Sequence, residues 1–452
     1  MNENKKTIIF ASAALVLLII AIFSSPGRIT PEAFMDQGEV FFPDFTDPNE
    51  ATTLEVVSYD AATGTPKPFK VTFKNNRWTI PSHNDYPADA EDRLAKTAAG
   101  VIGIKKDEFR TNNVSDHEAC GVIDPLDETA GMSGRGQRIT IKGKADEILA
   151  DIIIGNPIEM RRDYRYVRLP GQNRVYAAEL DLALSTRFED WIETDLLLLD
   201  KRNIDRVALL DYSVNERTLK VENRDNLVLT RGQSGWNANR MSAGQSVDTT
   251  AVNRLLTSLT GLSIVGVRPK PEGLSANLKV TGGRKELTQA DVMSLRNKGF
   301  YLSQDGQMLS NEGELQIMTN YGVNYTLRFG EVVYGSGLAL TAGGDDSSAR
   351  KKEGETENRY LFITADYDPG YLMQPPKPTD TSYVNKLERD WTKGDRANKA
   401  AKDRYDQWAY RTELGKRSAA DLSNRFADWY YVISSQSYDG IHLERSDLVV
   451  NK

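Results

Sequence analysis

Three histidines, one cysteine and 64 Asp plus Glu residues are the first candidates in this chain for general bases and metal ligands. His117 and Glu118 begin the pattern of a zinc-protease helix, but Gly121 stands where the second histidine would be needed. Cys120 has no second thiol and no CxxC, which excludes a disulfide within the chain and argues against a structural zinc site. GMSGRGQ (131–137) fits neither a nucleophile elbow nor a dinucleotide fingerprint and reads as a glycine turn before the strand ITIKG. No phosphate-binding GxxxxGK[ST] occurs, and His83, His117 and His442 are too scattered to assemble a Ser/His/Asp set. Asp345 and Asp346 have the donors for a cation, but Arg350, Lys351 and Lys352 beside them oppose one. DYDPGY (366–371) is a turn by composition. No catalytic residue, cofactor or metal ligand is therefore assigned, and the chain reads as a non-enzyme.

Composition narrows the class further. The 452 residues carry a net charge of −7, which argues against a nucleic-acid binder, whose phosphate contacts call for a basic surface. Hydrophobic residues at 39% and charged residues at 27% are ordinary for packed domains.

The elements that would position any site come in two copies. RFEDW (187–191) and RFADW (425–429) nearly repeat, and other matches precede them. LEVVSYD (54–60) pairs with VALLDYS (207–213). FKVTFKNNRWTI (69–80) pairs with NLVLTRGQSGWNA (226–238), each a strand, a polar turn and a tryptophan, Trp78 or Trp236. DAEDRLAKTAAGVIGI (89–104) pairs with DTTAVNRLLTSLTGLSIV (248–265), helices with Asp89 and Asp248 as expected N-caps. The hairpins of 136–156 and 164–180 match 313–333 and 357–367. Each copy is an α+β unit with a mostly antiparallel sheet. Phe188 with Trp191, and Phe426 with Trp429, are three residues apart and are expected to lie on one helical face, closing each unit. The segment DGIHLERSDLVV (439–450) is expected to add a strand to a sheet edge.

Three stretches depart from the repeat. TIIFASAALVLLIIAIF (7–23), bounded by Thr7 and Phe23, carries no charge and follows Lys5 and Lys6. It reads as an uncleaved transmembrane anchor with the N-terminus in the cytoplasm. The second copy carries insertions at 268–289 and 337–359, and a third at 382–424 that is nearly all helix formers. The third reads as a helical arm of two or three segments broken at Gly394 and Gly415. Trp391, Tyr405 and Trp408 on it are the rigid aromatic type that anchors protein interfaces, and are the expected partner-binding residues.

The order of anchor, strand–turn–tryptophan, helix, the DPL turn at Asp124-Pro125-Leu126, YRYVRLPGQNRVYAAEL and RFEDW resembles the bacterial family labelled domain of unknown function, DUF4340. The resemblance covers about 52–435. It implies a membrane-anchored extracytoplasmic protein working beside an ABC-2-type exporter of the gliding-motility kind, and carries no catalytic residue. The expected organisation is a cytoplasmic tail at 1–6, an anchor at 7–25, a juxtamembrane linker at 26–52, unit one at 53–192, unit two at 193–376, an arm at 377–424, and a closing motif with terminal strand at 425–452. The expected protein is a single-pass inner-membrane subunit with its bulk in the periplasm and an ABC-2 permease as partner. The alternatives are an enzyme or binding protein for envelope polymers, or a stand-alone scaffold.

Overall fold

Strand alternation and turn chemistry build the first sheet directly. In the computed structural model, which describes residues 12–18, 35–180, 182, 184–274, 276–278, 287–303, 306–343 and 356–451, residues 12–18 form a helical stretch, α1. Strand β1 (Thr53–Asp60) buries Leu54 and Val56 completely and pairs antiparallel with β2 (Thr65–Lys74). Asn75 and Asn76, both at positive φ, turn the chain into β3 (Arg77–Ile80), as a tight hairpin requires. After β4 (Tyr86–Pro87) comes helix α2 (Glu91–Ile102), which buries Leu94, Thr97, Ala98 and Val101, then β5 (Glu108–Thr111) and the short helix α3 (His117–Cys120). The meander β6 (Gln137–Lys142), β7 (Ile148–Pro157), β8 (Tyr164–Arg168) and β9 (Val175–Glu179) completes a sheet of order β4-β3-β2-β1-β6-β7-β8-β9-β5.

The second sheet is made of β10 (Ile204–Asn215), β11 (Lys220–Gly232), β12 (Gly235–Ala238), β14 (Gly266–Pro269), β17 (Glu314–Thr319), β18 (Val323–Val333), β19 (Asn358–Tyr367) and β20 (Trp429–Ile433). Its order is β12-β11-β10-β17-β18-β19-β20-β14. Replacing each strand by its counterpart in chain order reproduces the first sheet from β3 to β5. The helix between the corresponding strands is α4 (Thr249–Thr260), capped by the Asp248 carboxylate, which accepts from the Thr250 and Ala251 amides. Asp89 does not do the same: Ala90 holds the N-cap of α2, without a side-chain bond. Trp78 and Trp236 sit second in β3 and β12, opposite Phe73 and Arg231. The insertion after β14 contributes α5 (Gln289–Arg296) and the ribbon of β15 (Phe300–Leu302) and β16 (Met308–Ser310).

Contact density divides the chain into two compact units, one of Met1–Pro81 and Pro87–Asp190, the other of Ser82–Tyr86 and Trp191–Lys452.

Several expectations are corrected. No helix among the described residues is long and apolar enough to cross a membrane. This overturns the transmembrane element of the expected fold and, with it, the single-pass inner-membrane placement. The run 7–23 lies outside the described residues except for 12–18. The stretch expected as a juxtamembrane linker, 26–52, is from residue 35 onward packed within the first unit. Phe41 and Phe45 are buried, the Phe41 amide donates to Ile104 O at 3.0 Å, and Asp36 accepts from Tyr176 Oη at 2.6 Å. Aromatic side chains worth burying hold an otherwise acidic segment down. The terminal segment folds into α8 (Ser435–Asp439), α9 (Arg445–Leu448) and β21 (Val449–Asn451). That strand pairs with β13 (Gln245–Val247) in a separate ribbon rather than on an edge of the large sheet.

Candidate functional site

The expected arm is a single helix, α7 (Lys393–Phe426), 34 residues and about 51 Å long at 1.5 Å per residue. It starts at a capping box: Thr392 Oγ1 accepts from the Asp395 amide, and Asp395 accepts from the Thr392 amide. Lys386 Nζ donates to both Asp395 oxygens, at 2.9 and 3.0 Å, and this bond above all holds the Asp395 carboxyl at about 2. The helix runs through both glycines expected to break it. Gly394 is in its first turn, where propensity matters little. Gly415 is buried where α7 crosses the β17–β18 turn, so close that a Cβ there would stand 2.0 Å from Tyr321 O. The absence of a side chain, not a break in the helix, is what that position requires.

The three expected anchors turn inward. Trp391 Nε1 donates to Tyr383 O at 3.2 Å, and its ring meets the Tyr383 ring edge-on at 5.5 Å. Trp408 Nε1 donates to Leu372 O at 3.1 Å and packs on Tyr405 at 5.3 Å. Lys377 Nζ lies 5.6 Å from the Tyr405 ring centre, and Thr379 donates to Asn398. These side chains stitch the leading segment, 372–391, along α7; they are half-buried and already partnered.

The outward face was missed. Tyr410 is 70% exposed, with Leu414 one turn further on. With Asn203, Asn320, Tyr321, Gln407 and Arg411 they line a depression of about 270 Å³. Val384, Leu387 and Met373 are exposed on the leading segment. The signal was in the sequence: Tyr405, Trp408, Ala419, Leu422 and Phe426 share one helical stripe, and Tyr410 and Leu414 fall opposite it. Lys399 and Lys402 are paired with Asp403 and Asp406 a turn away. Among the described residues, Lys393, Arg396, Arg404 and Arg411 have no carboxylate within 4.0 Å.

The repeated pentapeptides are not equivalent positions. In RFEDW, Phe188 to Trp191 form a 3-10 turn after β9, with both aromatics buried. In RFADW, Phe426 ends α7 and Trp429 begins β20, so the two do not share a helical face. Arg425 instead donates to Leu196 O and Asp195 O at 3.1 and 3.2 Å, and Trp429 meets Tyr86 edge-on at 5.0 Å.

The other features of the second unit show little chemistry. A groove between β10, β11 and residues 441–451 contains two adjoining hollows of about 730 and 650 Å³. Asp211 pairs with Arg224 at 2.7 Å and Asp225 with Arg445 at 2.8 Å, while Glu444 and Asp447 on its lining form a backbone capping box. Among the described residues no group of three or more His, Cys, Asp or Glu side chains is placed to hold a metal ion. In the first unit the GMSGRG turn is organised by Arg135, whose guanidinium donates to the carbonyls of Asp124, Pro125, Asp127, Ala130 and Gly131 and lies over the Tyr59 ring.

One family matches. It is described as "Domain of unknown function (DUF4340)" and covers residues 78–277, from Trp78 on β3 to the segment beyond β14. No curated protein matches the chain, and no solved structure does.

Proposed function

We propose that this protein is a non-catalytic docking subunit, and that α7 with its leading segment is the element it presents to a partner protein. The observation that carries this reading is the position of the arm. In the first unit β8 and β9 are joined by the short turn 169–174; in the second, the corresponding strands β19 and β20 are joined by 368–428. The sheet order is the same either way. The inserted chain is therefore not needed to close the sheet, and its first half bonds chiefly to itself while Tyr410, Leu414, Val384 and Leu387 face outward. The resemblance to DUF4340 supports an ABC-2-type exporter permease as the partner. An enzymatic or polymer-binding reading would rest on the groove beside β10, where Arg224 and Arg445 are already paired with Asp211 and Asp225.

The test replaces 372–414 in the full chain by a short glycine-serine linker. The variant keeps the circular dichroism of a folded sheet and loses co-purification with a co-expressed ABC-2 permease. Retained co-purification sinks the docking role of the arm.

A further inference from the structure

The solvent side of α7 carries a stripe of one sign. Lys393, Arg396, Ala400, Arg404, Gln407 and Arg411 are all exposed, and so is Leu414, the next position of the series. They step by three or four residues and so follow one line of the helix, about 27 Å from Lys393 to Arg411 at 1.5 Å per residue. The four charged members are all cations, and among the described residues none has a carboxylate within 4.0 Å. Carboxylates in the same part of the helix are engaged elsewhere: Asp395 by Lys386, Asp403 by Lys399 and Asp406 by Lys402. One flank of α7 thus has the mixed, self-paired charge of an ordinary solvated face, and the stripe does not. Composition agrees: 372–426 holds 12 Lys plus Arg against 8 Asp plus Glu, in a chain whose net charge is −7. Beside the stripe lies the depression formed with Asn203 and Asn320, whose described lining has Arg411 as its one charged side chain.

We propose that this stripe docks an acidic helix of the partner protein, whose carboxylates answer Lys393, Arg396, Arg404 and Arg411. The proposal rests on the docking reading above and names the partner's chemistry. The mean step of about 3.5 residues is the period at which one helix stays in contact with another along its length. Arg396, Arg404 and Arg411 stand about 10–12 Å apart along the axis, beyond the ~8 Å over which physiological salt screens a charge. Their mutual repulsion in the free protein is therefore slight, whereas each arginine can form a two-pronged bond with a carboxylate brought against it. Tyr410 and Leu414 beside them supply an aromatic anchor and an apolar contact, and the amide-lined depression admits a side chain. An anionic lipid surface fits less well. A helix that lies in a membrane sinks a broad apolar face, and that of α7 is turned inward, with Ala419, Leu422 and Phe426 buried.

The test titrates the full chain with two synthetic helical peptides, one with glutamates about two turns apart on one face, the other with glutamine in their place. The expected result is at least about tenfold tighter binding of the glutamate peptide at low salt, with the difference lost at high salt. A variant carrying Lys393→Gln, Arg396→Gln, Arg404→Gln and Arg411→Gln keeps its melting temperature and binds both peptides alike. A variant that removes as many charges off the stripe, Lys399→Gln, Lys402→Gln, Lys416→Gln and Arg417→Gln, keeps the preference. Equal affinity of the wild-type chain for the two peptides overturns the proposal, and so does a preference that both variants lose or both retain. Binding to vesicles of phosphatidylcholine and phosphatidylglycerol that needs the four stripe cations, with no preference between the peptides, overturns it in favour of a membrane. Permease capture reads the docking role separately. Capture lost on replacing 372–414, with no peptide preference, leaves that role standing and removes the acidic partner. A peptide preference with capture unchanged by that replacement supports the stripe and sinks the permease role.

Discussion

The turn at 169–174 in the first unit and the arm at 368–428 in the second occupy the same step of the same strand order. One joins two strands by the shortest route. The other leaves the sheet, builds a helix of 34 residues and returns to pair β19 with β20 in register, Leu361 opposite Tyr431. The lesson is energetic. Closing a loop costs only about 0.6 kcal/mol more for each doubling of its length, so a hairpin tolerates a large insertion when the flanking strands carry the pairing. Here they do: Tyr431, Val432 and Ile433 are fully buried, as are Leu361, Phe362 and Ile363. The second unit therefore carries at this step a long helix that the short turn of the first unit does not.

That contrast can be broken at several points. The largest effect is expected where the second unit commits aromatic mass to its core. Trp191→Ala (1% exposed) and Phe426→Ala (0% exposed) should each lower stability by about 3–5 kcal/mol in denaturant melts. Trp391→Ala, on the half-exposed leading segment, should cost about 1 kcal/mol and leave the sheet intact. Equal losses for all three would mean that the leading segment is core and that the arm is not separable. Next come the two glycines of α7. A methyl at Gly415 would meet Tyr321 O, so Gly415→Ala should destabilise by about 1–3 kcal/mol. Gly394→Ala, with only Thr392 Oγ1 near at 3.6 Å, should be neutral or stabilise by up to about 1 kcal/mol. Thermal melts of the two variants that moved in the same direction would contradict the crossing at Gly415.

Acidity sharpens the comparison next, since the strongest downward shifts of basic groups lie in the second unit. Burial, with Arg268 adding, pushes His83 down to about 4 from 6.5, and Lys270 stands at about 7 against 10.5. In both cases the unfolded chain binds a proton that the folded state refuses. Stability should therefore rise with pH, from about 4 to 6.5 through His83 and from about 7 to 10.5 through Lys270. Lys270→Met should flatten the upper window and leave the lower one. A variant with the wild-type slope between pH 7 and 10 would show that the amine stays charged when folded. The smallest stability effect is expected on the outward face of α7. Tyr410→Ala and Leu414→Ala should change stability by less than about 0.5 kcal/mol while weakening partner capture at least tenfold, as anchors do. Capture that survives both moves the docking surface elsewhere.

Much of the architecture was present in the residues themselves. Alternating apolar positions, the Asn75-Asn76 turn, the Asp248 cap and the matched helices all act over short distances, so strands, helices and their duplicated order can be read along the chain. What escaped reading depended on which surfaces meet. RFEDW and RFADW are nearly identical words, yet one is a 3-10 turn after the last strand and the other bridges a helix and the start of a strand, because local sequence does not determine where the backbone stands when it reaches them. Phe41 and Phe45 looked like parts of a linker until Tyr176 and Ile104 were brought beside them. Trp391, Tyr405 and Trp408 had the composition of interface anchors, but residues 372–391 fold back and satisfy them, leaving Tyr410 and Leu414 outside. Propensity and periodicity are properties of a segment, whereas the partner a buried side chain finds is a property of the whole fold, so chain order was legible and the fate of each aromatic was not.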